Sequence, residues 1–461
     1  MKKKLWGGRF RKPTDPRVEA FSSSIAFDAR LFRQDVRVGI AQAEALGRAG
    51  YLTRGEKSAL VRALKKIGEE ISAGRVSFAG HEDIHSLIID RLIRKVGTLG
   101  KKLHAGRSRN DLVLADLRLY LKEKLAEAAA AVRTLQSSLV AKAEAEKDVV
   151  MPGYTHLQHA QPVLFAHHLL AYVEMLERDR GRLSDAAKRL DVLPLGSAAL
   201  AGSGLGLDQD FLARRLGFAS VAANSMDAVA DRDFAAEILS ALAILGMHLS
   251  RLAEEIVLWS TSEFGFVRLD ESFSTGSSFL PQKMNPDPAE LIRGKTGRLY
   301  GNLIALLTVL KGLPLSYNRD LQEDKEPLFD SLDTALMELS VMAPMVSSLS
   351  LNRAALARAL RMDFSSAADL AEYLVGKGVP FGEAHRRVGE LVSRCLSRGE
   401  DWAGMTLSSL REISPAFDAR ALKLLSPAAS IRAKLSRGST APALVGREIK
   451  RWRKKLGSRR K

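Results

Sequence analysis

The sequence contains a single cysteine, Cys395, among 461 residues. It therefore builds no internal disulfide framework, supplies no cysteine-rich metal site, and suits a reducing compartment. The basic start, MKKKLWGGRF, runs into Trp6-Gly7-Gly8-Arg9 rather than an apolar stretch, so no secretory signal is expected. Long hydrophobic runs are also missing. The most apolar segment, ILSALAILGMHL (238–249), is shorter than a membrane span and is flanked by Glu237 and Arg251. Nucleic-acid motifs of the usual kinds and internal repeats are absent. The expectation is a soluble, cytoplasmic protein.

Composition is globular, with 46% hydrophobic and 27% charged residues, and the length suffices for more than one core or for an elongated helical subunit. Formal net charge is +17. The stretch REIKRWRKKLGSRRK, from Arg447 onward, carries +8 of it and leaves +9 for the rest of the chain. A basic tail of this kind reads as a solvated terminus, though it attracts polyanions weakly. The remaining excess suits a site that gathers small anionic substrates. The charge fits both readings and decides neither.

Between Arg107 and Met151 there is neither glycine nor proline, and Ala, Leu, Glu, Lys and Arg dominate. That composition predicts one long helix, with Asn110 and Asp111 as caps and Pro152-Gly153 as its end. Similar stretches lie at 163–191, 226–262, 287–311 and 327–350. In 236–258 the Leu, Ile and Ala residues surround most of the helix, which implies burial on nearly every side. The pattern predicts an all-α protein, a bundle of long helices open to completion by other subunits. A division into an N-terminal helical domain (1–110), a central long-helix domain (111–360) and a C-terminal helical domain with the basic tail (361–461) is expected.

Polar residues collect at the junctions of these helices: LHAGRSRND (103–111), PGYTHLQHAQP (152–162), STGSSFLPQKMNP (274–286) and LPLSYNRDLQEDKEP (313–327). Any one of them reads as ordinary loop chemistry. Four in one chain, each mixing donors, cations and carboxylates, point to an assembled site.

Taken together these blocks resemble the argininosuccinate lyase family of the fumarase/aspartase superfamily. The third contains Gly-Ser-Ser-x-x-Pro-x-Lys-x-Asn-Pro, the superfamily pattern, while GRSRND, GYTHLQHAQP and YNRDLQEDKE resemble blocks of the argininosuccinate-cleaving branch. The likeness runs from LWGGRF to LVGKGVPFGEAH (374–385), and more faintly to SRGSTA near 440. Two positions depart from the pattern, Leu280 where Met is usual and Met284 where a second Lys is common. The resemblance implies a fumarase/aspartase-like fold and a β-elimination of argininosuccinate to arginine and fumarate, a step of arginine biosynthesis. It also implies a homotetramer with shared active sites and no cofactor or metal.

Removing a proton beside a carboxylate loads a second negative charge onto that carboxylate, and donors already aimed at it stabilise the transition state. The resemblance assigns the base to Ser277, with Lys283 supporting its alkoxide and Asn285 helping to clamp the carboxylate. The loop carrying them is expected to close over substrate, since desolvation strengthens such interactions. The acid at the leaving nitrogen maps to His156, oriented by Glu290, with Thr155 and water as alternatives. Substrate binding maps to Ser24, Arg109, Asn110, Thr155, Tyr317, Gln322 and Lys325. Adenylosuccinate lyase, fumarase and a non-catalytic crystallin-like protein of the same superfamily are the alternatives.

Two further patterns invite other readings. HEDIH (81–85) fits the zinc-protease pattern H-E-x-x-H, but it lacks a convincing third ligand and reads as a capped helix start. GSGLGLD (202–208) is glycine-rich like a phosphate loop but lacks a strand–turn–helix frame, so a bend between helices is expected.

Overall fold

The computed structural model describes residues 12–361 and 364–457; LWGGRF and the last four residues of the basic tail lie outside them. The main helices are α1 (Phe32–Arg48), α2 (Arg54–Ser72), α3 (Ile84–Val96), α4 (Arg109–Ala145), α5 (Phe165–Leu190), α6 (Asp233–Ser260), α7 (Asp287–Leu310), α8 (Lys325–Ser348), α9 (Phe381–Arg398) and α10 (Pro442–Gly457). The long-helix reading of the sequence holds, and the fold is the expected mostly helical one.

Three boundaries differ from expectation. Residues after Ala145 leave the helix early, and Pro152-Gly153 lies within β1 (Val150–Thr155), which pairs antiparallel with β2 (Gln158–Leu164). The two breakers thus sit in a hairpin rather than ending a helix. A β-bulge at Gly153 accommodates them, because a Cβ there would approach the Gln161 carbonyl oxygen to 2.8 Å. The helix expected over 226–262 is split into Ser225–Ala230 and α6. Asp231 Oδ1 accepts the Asp233 N–H (2.7 Å), capping a new helix start. At the N-terminus of α4 the cap is Ser108, not Asn110 or Asp111: Ser108 Oγ accepts the Asn110 N–H (3.3 Å), and Asp111 reaches back to the Ser108 N–H (2.9 Å).

Two compact units emerge, one of residues 1–129, 181–243 and 297–334, the other of 130–180, 244–296 and 335–461. In the first, Val38, Ala41 and Ala45 of α1 pack with Leu112, Ala115 and Leu119 of α4 and with Leu212 and Leu216 of a short helix, Gln209–Leu216. Helix α2 opens on a reciprocal capping box between Thr53 and Glu56 (3.2 and 2.8 Å), and α3 on one between Asp83 and Ser86 (2.7 and 3.2 Å). HEDIH is therefore the capped helix start expected.

In the second unit, Leu370, Leu374, Val388, Leu391, Leu410 and Phe417 form a core that also encloses the free thiol of Cys395. Helix α10 revises the reading of the basic tail as a solvated terminus. Val445, Ile449 and Trp452 are buried, and Arg451, Arg453 and Lys455 pair with Glu174, Glu144 and Glu177 at 2.6 to 2.9 Å. An amphipathic helix explains both the cations and the absence of a loose end through Gly457. Helix α6 has 28 residues, so by length and composition it would reach across a membrane. Its apolar residues Ile238, Leu239, Leu242, Leu245, Leu249, Leu252 and Ile256 are all buried within the protein, as the sequence pattern implied.

Candidate active site

Six of the expected site residues belong to the first unit: Ser24, Arg109, Asn110, Tyr317, Gln322 and Lys325. Two of them, Ser24 and Arg109, meet at the segment that leads into α3. Ser24, buried, donates its hydroxyl to Asp28 Oδ2 (2.6 Å) and its N–H to the Glu82 carbonyl (2.8 Å). Asp28 Oδ1 in turn accepts the N–H of Ile84 (3.1 Å). Burial pushes the Asp28 carboxyl up to about 6, against the pull of the Ser24 hydroxyl. The Arg109 guanidinium lies 2.9 Å from Asp83 Oδ2 and 3.8 Å from Glu82 Oε2. Arg319 reaches both Glu82 Oε1 (3.1 Å) and the Ser22 carbonyl (2.7 Å), and Gln322 Nε2 donates to the same carbonyl (3.4 Å).

Gln322 lies in a 3-10 turn (Arg319–Asp324), and Lys325 opens α8. Without the family likeness both residues read as solvent-exposed; in the fold Gln322 is half-buried and Lys325 is only 4% exposed. Lys325 Nζ donates to Asp324 Oδ1 (2.6 Å), and the other Asp324 oxygen pairs with Arg232. Burial raises the Tyr317 phenol above its ordinary value, so it is a neutral hydrogen-bond donor. Arg109, Arg319 and Lys325 are each held by a carboxylate, Asp83, Glu82 and Asp324 respectively, and cations and amides of this kind suit the recognition of carboxylates.

Sequence reasoning missed Glu82, Asp83, Asp28, Arg319 and Asp324. The first two lay inside the motif weighed as a zinc pattern. In the fold, His81 and His85 are each paired to a carboxylate, with His85 Nδ1 2.9 Å from Asp35 and His81 Nε2 3.3 Å from Asp90. Among the described residues no group of His, Cys, Asp or Glu side chains is placed to hold a metal ion.

The other six expected residues belong to the second unit: Thr155, His156, Ser277, Lys283, Asn285 and Glu290. Thr155 pairs with Gln158 across a two-residue turn formed by His156 and Leu157, both at φ 56°. Such a turn matches the twist of a hairpin, yet it uses a backbone region that side chains other than glycine's rarely enter. The His156 imidazole is thereby held out on an exposed tip.

Thr275 and Asn285 exchange backbone hydrogen bonds (3.1 and 2.8 Å), and the Thr275 hydroxyl donates to Asp287. These bonds close 276–284 into a loop on a single antiparallel bridge at the head of α7. Inside it, Ser277 Oγ accepts the N–H groups of Phe279 (3.2 Å) and Leu280 (3.0 Å). Phe279, Leu280 and Met284 project into solvent. Lys283 and His156 make no side-chain hydrogen bond or ion pair among the described residues, and none joins His156 to Glu290, which lies exposed in the first turn of α7. One chain therefore holds the Ser277 loop together without forming the expected His156–Glu290 contact.

Sequence comparison gives the same picture from outside the geometry. Residues 8–301 match a lyase family, and residues 364–432 match an argininosuccinate lyase C-terminal family. Argininosuccinate lyase of Symbiobacterium thermophilum is 52% identical over 447 residues, 97% of this chain and 97% of the relative. That of Desulforamulus reducens is 50% identical over 98% of this chain and 99% of the relative. Among solved structures, an EDDS lyase in complex with formate is similar, with a TM-score of 0.85 and 29% identity over 97% of this chain and 91% of that one. A class II fumarase from Schistosoma mansoni shares the fold, with a TM-score of 0.73 at 16% identity over 87% of this chain and 91% of that one. Near-full-length identity of this size, joined to a helical scaffold that presents all four polar blocks, places the chain in the argininosuccinate lyase family, as a carbon–nitrogen lyase that cleaves argininosuccinate to arginine and fumarate.

Proposed function

We propose that Ser277 is the base of this elimination, and the observation that carries the reading is its pair of backbone N–H donors. A serine hydroxyl is a weak base because its alkoxide is costly. Two N–H groups already directed at Oγ, from Phe279 and Leu280, lower that cost, and Lys283 on the same loop adds a positive charge when the loop closes. Ser277 takes the proton from the carbon beside a succinate carboxylate, and the electron pair left on carbon is delocalised onto that carboxylate. Asn285 and Lys283 hold the oxygens as charge grows. The pair then forms the carbon–carbon double bond of fumarate as the carbon–nitrogen bond breaks. His156, oriented by Glu290, gives its proton to the departing nitrogen, and arginine leaves.

Ser24, Arg109, Asn110, Thr155, Tyr317, Gln322 and Lys325 bind the substrate. The active unit is a cytoplasmic homotetramer in which each site draws on different chains, within the three-part division 1–110, 111–360 and 361–461. The length of α4 and the unmet pairing of His156 with Glu290 support this assembly. No metal enters the step, since Arg109, Lys283 and Lys325 supply the positive charge. Exhaustive chelation is expected to leave the rate unchanged, and a loss restored by zinc would overturn that part. The direct test is fumarate release, followed by ultraviolet absorbance, from argininosuccinate, adenylosuccinate and malate. Turnover confined to argininosuccinate is expected; turnover confined to either other substrate would overturn the reading.

A further inference from the structure

The first turn of α4 is tied to a distant loop by one carboxylate. Asp111 is fully buried. Its Oδ1 accepts the N–H of Ser108 (2.9 Å), as a residue in the first turn of a helix commonly does. Capping does not explain Oδ2, which accepts the N–H groups of Gly196 (3.2 Å) and Ala198 (2.8 Å) from a segment more than eighty residues further along the chain. Beside it, Asn110 Nδ2 donates to the Ala199 carbonyl (3.1 Å), so the same loop fixes the Asn110 amide.

The loop is shaped for this contact. Gly196 has φ 102°, and a Cβ there would fall 2.1 Å from Gln209 Nε2. Ala198 has φ 51°, a left-handed conformation that alanine adopts only at a cost and that persists where surrounding contacts impose it. The Gly202 N–H closes the loop on the Ser197 carbonyl (2.9 Å). The carboxylate thus acts on both partners at once, steadying a strained loop and the helix turn that carries Arg109 and Asn110.

We infer that Asp111 is a positioning residue for substrate binding: by clamping the 196–199 loop to the first turn of α4, it sets the Asn110 amide and the Arg109 guanidinium in the geometry that grips the substrate. The inference rests on the reading that Arg109 and Asn110 bind substrate. A residue of purely structural duty would alter stability alone. A positioning residue alters KM more than kcat, and its effect is relieved when the strain it opposes is removed.

The experiment measures KM, kcat and thermal unfolding for Asp111→Asn, Asn110→Ala, Ala198→Val and the double variant Asp111→Asn/Ala198→Gly. Asp111→Asn is expected to raise KM about tenfold or more, the scale of a lost hydrogen bond to a charged group, while kcat falls by less than about threefold. In the double variant, glycine takes the left-handed conformation freely, so KM returns part of the way toward that of the parent. Ala198→Val works from the loop side with Asp111 intact and is expected to raise KM as well; it carries the test if Asp111→Asn does not fold. A fall in unfolding temperature without a change in KM, or no relief in the double variant, would overturn the inference. If Asn110→Ala leaves KM unchanged, the underlying site assignment is what fails. If Asn110→Ala raises KM while Asp111→Asn and Ala198→Val do not, the assignment stands and the positioning role falls.

Discussion

Ser277 carries the largest expected effect of any single side chain. Its hydroxyl oxygen accepts two backbone N–H groups in an exposed loop, so removing it leaves donors that water can reach. Ser277→Ala should therefore cost less than about 1 kcal/mol of stability. If Ser277 is the base, elimination should fall by about a thousandfold or more while substrate still binds, because the group acts mainly in the transition state. Ser278→Ala, on the adjacent exposed hydroxyl, should be far milder. Single-turnover fumarate release and substrate titration separate the two effects, and near-native turnover in Ser277→Ala would remove it from the mechanism. Glu338 is the opposite case, a carboxyl 2% exposed with neither oxygen hydrogen-bonded. Burial pushes it from 4.5 up to about 8, with Lys295 pulling it back. Its folded value lies above the unfolded one, so its favourable contribution is complete below about pH 4.5 and is lost as pH rises toward 8. Every tenfold difference in proton affinity between the folded and unfolded chain is worth about 1.4 kcal/mol. Glu338→Gln should accordingly shrink the fall in stability between pH 5 and pH 9, read by chemical denaturation. An unchanged difference would mean that this carboxyl does not titrate in that range.

Among the elements, the hairpin β1–β2 tests whether site geometry is maintained against local preference. His156 and Leu157 both stand at φ 56°, where a two-residue hairpin turn ordinarily uses Asn-Gly. Leu157 is 70% exposed, so its side chain contributes little packing to offset the conformational cost. Leu157→Gly should raise stability by roughly 1 kcal/mol, which thermal unfolding at matched concentration would show; a loss of stability would mean that the leucine makes a contact outside this chain. The same hairpin marks the limit of what the sequence discloses. The long helices were legible because stretches such as 107–151 lack Gly and Pro and have strong propensity over many turns. The hairpin was not, because YTHLQHAQP has no Asn-Gly signal and Pro152-Gly153 reads as a stop. The Ser277 loop was legible as a motif, and its internal hydrogen bonds span only two or three residues. The partners of Arg109 and Asp111 were hidden, since Asp83 and the 196–198 backbone lie away from them in the chain. Nor did any sequence pattern set Lys325 apart as buried, because the carboxylate that pairs with it, Asp324, is shared with Arg232 from far along the chain.

At the scale of the whole molecule, the length of α4 argues for sites shared between chains. The helix runs unbroken through 37 residues. At 1.5 Å per residue a straight helix of that length spans about 55 Å. Asn110 stands in its first turn, and Thr155-His156 follows its last turn by ten residues, in the hairpin that begins at Val150. A succinate-bearing substrate is several-fold shorter than the helix, and no Pro or Gly is present to kink it. Antiparallel copies of α4 from neighbouring chains would bring opposite ends to one place, with the Ser277 loop, at another helix junction, supplied by a third chain. At substrate far below the raised KM of Asn110→Ala, an Asn110→Ala chain and a His156→Ala chain would then each show little activity alone, yet complement each other. A site needs an intact Asn110 from one contributor and an intact His156 from another, so random mixing in equal amounts should restore roughly a quarter of the sites in symmetric tetramers. The two variants are to be unfolded together, refolded, confirmed as mixed tetramers and assayed for fumarate release. Recovery near that fraction, absent when each is refolded alone, is the expected outcome. Well-folded mixed tetramers no more active than the separate variants would require Asn110 and His156 to serve a site from the same chain, and the shared-site assembly would have to be abandoned.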